Sequence, residues 1–131
     1  DDFNEYQRLW KIVQEKKLED NVHFAGSIEH NRLPLFYSAA DVFVVPSYYE
    51  PFGLVTLESM ACKTPVVASK VDGLLATIKD NENGLFFEPR NAADLKEKVM
   101  LLHASKELRT KLAANAYQEV MKNYSWKNWQ K

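Results

Sequence analysis

One cysteine, Cys62, stands in the whole chain. A single thiol excludes an internal disulfide and fits a reducing compartment. Its apolar surroundings, Met60-Ala61-Cys62, read as a small core position rather than a reactive thiol. No charge of one sign dominates: 17 basic residues mix with 18 acidic ones for a net charge of −1, so the basic excess of a nucleic-acid footprint is missing. No apolar run exceeds the length of a strand, so no transmembrane segment is expected. Asp1-Asp2 is the wrong charge to open a signal peptide, and the expected location is cytoplasmic. His23, His30 and His103 are scattered without ligand spacing, so no metal is expected. There is no repeat, low-complexity tract or linker. What remains is one domain over residues 1–131, with 46% hydrophobic residues to build a core.

Helical and strand periods alternate along that domain. Phe3, Tyr6, Leu9, Trp10 and Val13 predict a helix over 3–17, opened by Asp2 and Glu5 as a capping box. A strand is expected at 22–26. Asn31 is expected to cap a short helix at 32–39, with Pro34 in its first turn. The unalternated Val42-Phe43-Val44-Val45 run predicts a strand at 41–46, buried on both faces of a parallel sheet. A helix over 53–62 and a strand over 65–69 follow. A short helix at 74–79 and a strand at 84–88 come next. Asn91 and Ser105 cap helices at 92–103 and 105–122, and Trp126 and Trp129 close the chain. This alternation predicts an α/β fold: a Rossmann-like parallel sheet of about four strands flanked by helices.

The chemistry concentrates where the 41–46 strand runs out. Glu50 and Glu58 have seven residues between them and bracket Pro51-Phe52-Gly53. A strand, a glycine turn and a helix start form a ligand site, because unpaired N–H groups there attract anions. Carboxylates add acceptors suited to sugar or ribose hydroxyls. Taken alone, Glu58 is a carboxylate in a helix, more often solvated than functional. Gly53 on the same terms is a turn glycine, although glycine at a helix start is locally costly. Phe52 reads as a packing anchor, with its backbone the functional part. Tyr48 and Tyr49 suit a sugar pocket or simple packing about equally.

This segment resembles the Glu-x7-Glu motif of retaining glycosyltransferases of family four. The likeness extends along the chain in order, through Val22-His23-Phe24-Ala25-Gly26, Tyr37-x-x-Ala40-Asp41, Thr64-Pro65-Val66-Val67-Ala68-Ser69, Asn83-Gly84-Leu85-Phe86-Phe87 and Ser125-Trp126. The resemblance implies a partial C-terminal domain of the double-Rossmann GT-B type, supplying four of the family's about six strands. It implies a nucleotide-sugar donor as substrate rather than a cofactor. Glu50, the candidate catalytic-site carboxylate, is similar to the one that contacts donor sugar hydroxyls; it is not read as a nucleophile. Phe52, Gly53, Leu54 and Val55 match the backbone that faces the donor sugar and diphosphate. Glu58 matches the ribose-binding carboxylate. Ser27 and Ile28 match the turn that meets the base. Glu50-Pro51-Phe52-Gly53 is similar to the form in sucrose-phosphate synthases and glycogen synthases, which favours UDP-glucose while leaving GDP- and ADP-sugars open.

Several features depart from that pattern. The upstream Arg and Lys that neutralise the diphosphate have no counterpart here, and Arg32, Lys63 and Lys70 do not match their positions. Asp72-Gly73 stands where the family has Gly-Gly, placing a repelling carboxylate near a diphosphate. Lys63 stands where glycine usually precedes Thr-Pro. The chain alone is therefore expected to be inactive and to need an N-terminal acceptor domain or partner chain. Two other readings stay open: an accessory subunit, and a non-catalytic fragment that pairs with a second copy through exposed strand edges.

Overall fold

The computed structural model describes residues 2–125. Its contacts divide the chain into two units, one ending at His30 and the other beginning at Asn31. In the first unit, helix α1 spans Asp2–Glu15. Glu5 does not act as the far side of a capping box. Its carboxylate accepts from the Arg8 guanidinium at 2.9 Å, and that bond holds it below the usual carboxylate range. The helix stops at Lys17, whose φ of +56° lies in the left-handed region. The Leu18 N–H returns to the Val13 carbonyl at 2.9 Å and the Lys17 N–H to that of Gln14 at 3.1 Å, the two bonds of a Schellman stop. Val13 is buried, and Phe24 meets Tyr6 and Trp10 edge-on, with ring centroids 5.1 and 6.1 Å apart.

The strand expected at 22–26 does not form. An extended segment becomes a strand only when a neighbour pairs its N–H and C=O groups, and among the described residues this one has no ladder partner. The sheet therefore has three strands rather than four.

The second unit carries that sheet. A 3₁₀ turn over His30–Arg32 leads into α2 (Leu33–Ala39). The residue at the N-cap is Arg32, which makes no side-chain cap, so Asn31 does not play the expected role; Pro34 does sit in the first turn. Strand β1 (Phe43–Val45), α3 (Leu54–Ala61), β2 (Val66–Ser69), α4 (Asp72–Leu75), β3 (Leu85–Phe87), α5 (Ala92–Ala104) and α6 (Lys106–Asn123) follow. The strands are parallel in the order β1-β2-β3, with Val44 opposite Val67 and Ala68 opposite Phe86.

Both faces of this sheet are covered, which explains the unbroken apolar runs. Val45, Val66, Ala68 and Phe86 pack on one face with Met60, Leu74, Ile78, Ala116 and Val120. Val44, Val67, Leu85 and Phe87 pack on the other with Leu95, Leu102, Leu108 and Leu112. Successive strand residues thus alternate between two apolar layers. Helix α6 serves both, through Leu112 to one and Ala116 to the other. Asn91 and Ser105 cap as expected, accepting from the Asp94 and Leu108 N–H groups at 2.9 and 3.1 Å.

Two local outcomes differ from the sequence reading. The short helix lies at Asp72–Leu75 instead of 74–79. Residues after it are claimed by a turn, in which the Asn83 side chain accepts from the Lys79 N–H at 2.8 Å and donates to the Thr77 carbonyl at 3.3 Å. Cys62 is half-buried at the C-cap of α3 rather than in the core. Lys63 behind it has a φ of +60°, so a lysine takes the left-handed position that glycine would suit. Trp126 and Trp129 lie outside the described residues.

Candidate functional site

The site grows out of the end of β1. The chain leaves the sheet at Pro46 and re-enters regular structure at Leu54. Ser69 at the end of β2 donates to the carbonyls of Val45, at 3.3 Å, and of Ser47, pinning the departure. Gly53 is the N-cap of α3, with a φ of +66°. It is buried. A Cβ there would lie 2.9 Å from Leu74 Cδ2 and 3.3 Å from the hydroxyls of Thr56 and Thr77. Glycine is required at this turn by packing as much as by conformation. Thr56 Oγ1 donates to the Gly53 carbonyl at 2.6 Å and lies 3.4 Å from Thr77 Oγ1, so a buried hydroxyl pair fastens the starts of α3 and the turn after α4.

Glu50 folds back onto this turn. Its Oε1 accepts from the Gly53 N–H at 3.1 Å. One of the four expected backbone donors is thereby engaged within the loop. Leu54 and Val55 open α3, so their N–H groups have no carbonyl one turn behind them. The Phe52 ring is 72% exposed and is not a packing anchor. Leu74, and not this ring, packs against the turn, its Cδ2 2.9 Å from where a Gly53 Cβ would lie.

Glu58 lies half-buried on α3, one turn further on. Its Oε2 accepts from the Tyr37 hydroxyl at 2.9 Å. Burial, and next the Glu58 carboxylate, push the Tyr37 phenol well above its ordinary range, so it stays a neutral donor. The Tyr37 ring stands edge-on to Phe43, with centroids 5.0 Å apart, and its carbonyl accepts from Thr64 Oγ1. In the sequence Tyr37 is visible only as part of a pattern, and its contact with Glu58 is not legible there, because the two lie 21 residues apart.

An open cavity of about 470 Å³ lies beside the loop, lined by Tyr48, Tyr49, Glu50, Pro51, Lys70, Val71, Asp72 and Gly73. Lys70, set aside on sequence grounds, is a cation on its wall. Asp72 lines it too. The Arg90 guanidinium lies 4.8 Å from the Tyr48 ring centre, steadying that wall from behind. Gly73 is the tightest point. A Cβ there would fall 1.6 Å from the Glu50 carbonyl oxygen.

Residues 2–119 match the family described as Glycosyl transferases group 1. The chain belongs to that family. Among its relatives, an uncharacterized glycosyltransferase of Methanocaldococcus jannaschii is 41% identical over 107 residues, which cover 82% of this chain and 27% of the relative. This chain thus spans about a quarter of that relative's length. Two solved structures share the fold. The sucrose-phosphate synthase of Thermosynechococcus elongatus has a TM-score of 0.89 at 43% identity, covering 95% of this chain and 31% of that one. The Anabaena protein HepE, solved in complex with UDP-glucose, has a TM-score of 0.87 at 26% identity, covering 92% of this chain and 33% of that one.

Within this group 1 glycosyltransferase segment, the second unit holds Glu50, Phe52, Gly53, Leu54, Val55 and Glu58 together on one loop and the helix it opens. Ser27 and Ile28 belong to the first unit. Among the described residues no three His, Cys, Asp or Glu side chains gather as a metal site, and no helix is long and apolar enough to cross a membrane.

Proposed function

We propose that this chain is the nucleotide-sugar-binding part of a retaining glycosyltransferase of family four, a C-terminal GT-B-type domain. It serves transfer of a hexosyl group, UDP-glucose being the favoured donor. The observation that carries this reading is the pair Glu50 and Glu58 on either side of an open helix start, with Glu50 on the cavity wall and Glu58 tied to Tyr37. Glu58 takes the ribose hydroxyls and Glu50 those of the sugar. The Leu54 and Val55 N–H groups face the diphosphate. Lys70, on the same cavity wall as Glu50, adds a positive charge. In the reaction the anomeric C–O bond breaks and its electron pair leaves on the nucleoside diphosphate. The acceptor oxygen bonds to the same face and gives up its proton. Fixed dipoles and a cation at the leaving oxygen lower that barrier. Ser27 and Ile28 meet the base. The donor is a substrate, and no metal or cofactor is assigned. The acceptor is bound by parts beyond these 131 residues, so the chain alone turns over no substrate, and its place is cytoplasmic.

Calorimetric titration with UDP and UDP-glucose tests the reading, with Glu58→Ala as control. Millimolar or tighter binding is expected, weakened about tenfold or more in the variant, as removal of a charged hydrogen-bonding group predicts. No heat from the unaltered chain at several millimolar ligand would sink it. The free edge of β1, which pairs only with β2 among the described residues, favours a second reading as a non-catalytic fragment that associates with itself. A mass that rises with concentration, without any nucleotide response, is its signature.

Asp72 gives a further expectation. It lines the same cavity as Lys70 and opposes a diphosphate there. Asp72→Asn removes one negative charge and should tighten UDP binding about threefold, more at low salt than at high. Unchanged affinity at low salt would place Asp72 outside the diphosphate's field.

A further inference from the structure

We infer that Tyr37 is a positioning residue that sets the Glu58 carboxylate to receive a vicinal diol. The inference rests on the donor-binding reading above and assigns Tyr37 a role within it.

A glutamate on a helix turns freely about its side-chain bonds, and a ligand that uses it must first stop that motion. Here the Tyr37 hydroxyl has already stopped it, through a 2.9 Å bond to Oε2. The tyrosine can do so because it is itself fixed. It is buried to 6% exposure, its ring meets Phe43 edge-on, and Thr64 Oγ1 donates to its carbonyl. Thr64 is held in turn by Ser59, whose hydroxyl donates to the Thr64 carbonyl at 3.1 Å. The chain of contacts starts on α3, passes through Thr64, two residues before β2, and through α2, and returns to α3 at Glu58.

The bond also sorts the acceptor sites. A carboxylate offers about four lone-pair positions. Tyr37 occupies one on Oε2. Oε1 and the remaining site on Oε2 stay open for two hydroxyl donors. Two adjacent acceptor oxygens at a fixed spacing match two hydroxyls on neighbouring carbons, which is the chemistry of a ribose diol.

The test is a comparison of UDP with its 2′,3′-dideoxy analogue, titrated calorimetrically into the 131-residue chain. The unaltered chain should prefer UDP by about tenfold, the worth of charged hydrogen bonds to the two hydroxyls. Tyr37→Phe should cut that preference to about twofold while leaving the affinity for the dideoxy analogue unchanged. In a Glu58→Gln background, Tyr37→Phe should have no further effect on the ratio. A full UDP preference in a folded Tyr37→Phe chain would overturn the inference and leave the donor-binding reading standing. If the unaltered chain binds neither ligand, both fall. Should Tyr37→Phe fail to fold, Phe43→Leu loosens the ring without removing its hydroxyl. A lowered ratio there supports the inference, and an unchanged ratio overturns it.

Discussion

Gly73→Ala should unfold a large fraction of the protein's stability margin and remove nucleotide binding with it. The added Cβ would lie 1.6 Å from the Glu50 carbonyl oxygen, 2.5 Å from the Glu50 carbonyl carbon and 2.7 Å from that of Pro51. All three neighbours are backbone. No side chain can turn aside to make room, so either α4 or the loop from Tyr48 to Phe52 must move. Overpacking of this kind costs about 1–3 kcal/mol, occasionally more. Against a total of about 5–15 kcal/mol, that is a substantial share. Thermal unfolding should show a fall of about 8 °C or more. Glu50 moves with the loop, so UDP-glucose binding should weaken about tenfold even in the fraction that stays folded, since small misplacements at a site are costly. Gly26→Ala is the internal comparison. No atom lies within 4 Å of its added Cβ, and only the φ of +68° opposes it. Its cost should stay near ~1 kcal/mol. Equal losses at the two positions would show that the approach to Glu50 adds little, since Gly73, unlike Gly26, has no left-handed φ to oppose a side chain.

That close approach was not legible in the sequence, and the reason separates what was readable from what was not. Asn91 and Ser105 were readable as caps because a cap bonds to an N–H three residues ahead, and the sequence shows both partners. The three strands that formed were readable because double burial leaves an unbroken apolar run. The segment at 22–26 offers Val22 and Phe24 in alternation, yet a strand is a property of two segments, and its own residues cannot show whether the second is there. Asn31 looks like a cap, but the 3₁₀ turn from His30 moves the helix start past it.

The loop itself divides in the same way. Glu50, Gly53 and Glu58 stood out by spacing and by likeness to the family. The bond from the Gly53 N–H to Glu50 and the burial of Gly53 under Leu74 did not, because they depend on how a turn closes. Lys70 was set aside for not matching a family position. In space it stands on the cavity wall, since the residue that follows β2 lies beside the loop that follows β1 when the two strands are parallel neighbours. Adjacency in a parallel sheet, unlike a motif, is invisible until the strand order is known.

Met60→Ala should be the largest purely structural loss. Met60 is fully buried, at 0% exposure, among Val45, Val66, Ala68, Leu74 and Phe86 on one side and Ala116 and Val120 of α6 on the other. It joins α3 to the sheet and to α6 at once. Truncation removes the thioether's transfer energy and leaves a cavity whose walls, held by three elements, collapse only in part. Such changes cost about 2–5 kcal/mol. Denaturant titration should show a lower midpoint with an unchanged slope, and the melting temperature should drop by about 12 °C. Leu54→Ala, six residues earlier and 62% exposed, should stay within about 0.5 kcal/mol. The nucleotide response should divide the other way. Met60 lines neither the cavity nor the Tyr37–Glu58 contact, so folded Met60→Ala should bind UDP within about twofold of the unaltered chain, as independent sites do. If its affinity instead falls in step with its stability, the helix that carries Glu58 is held in place by the core rather than by the Tyr37 bond. The Met60 and Tyr37 variants, compared on the same two axes, then assign the placement of Glu58 to packing or to its hydrogen bond.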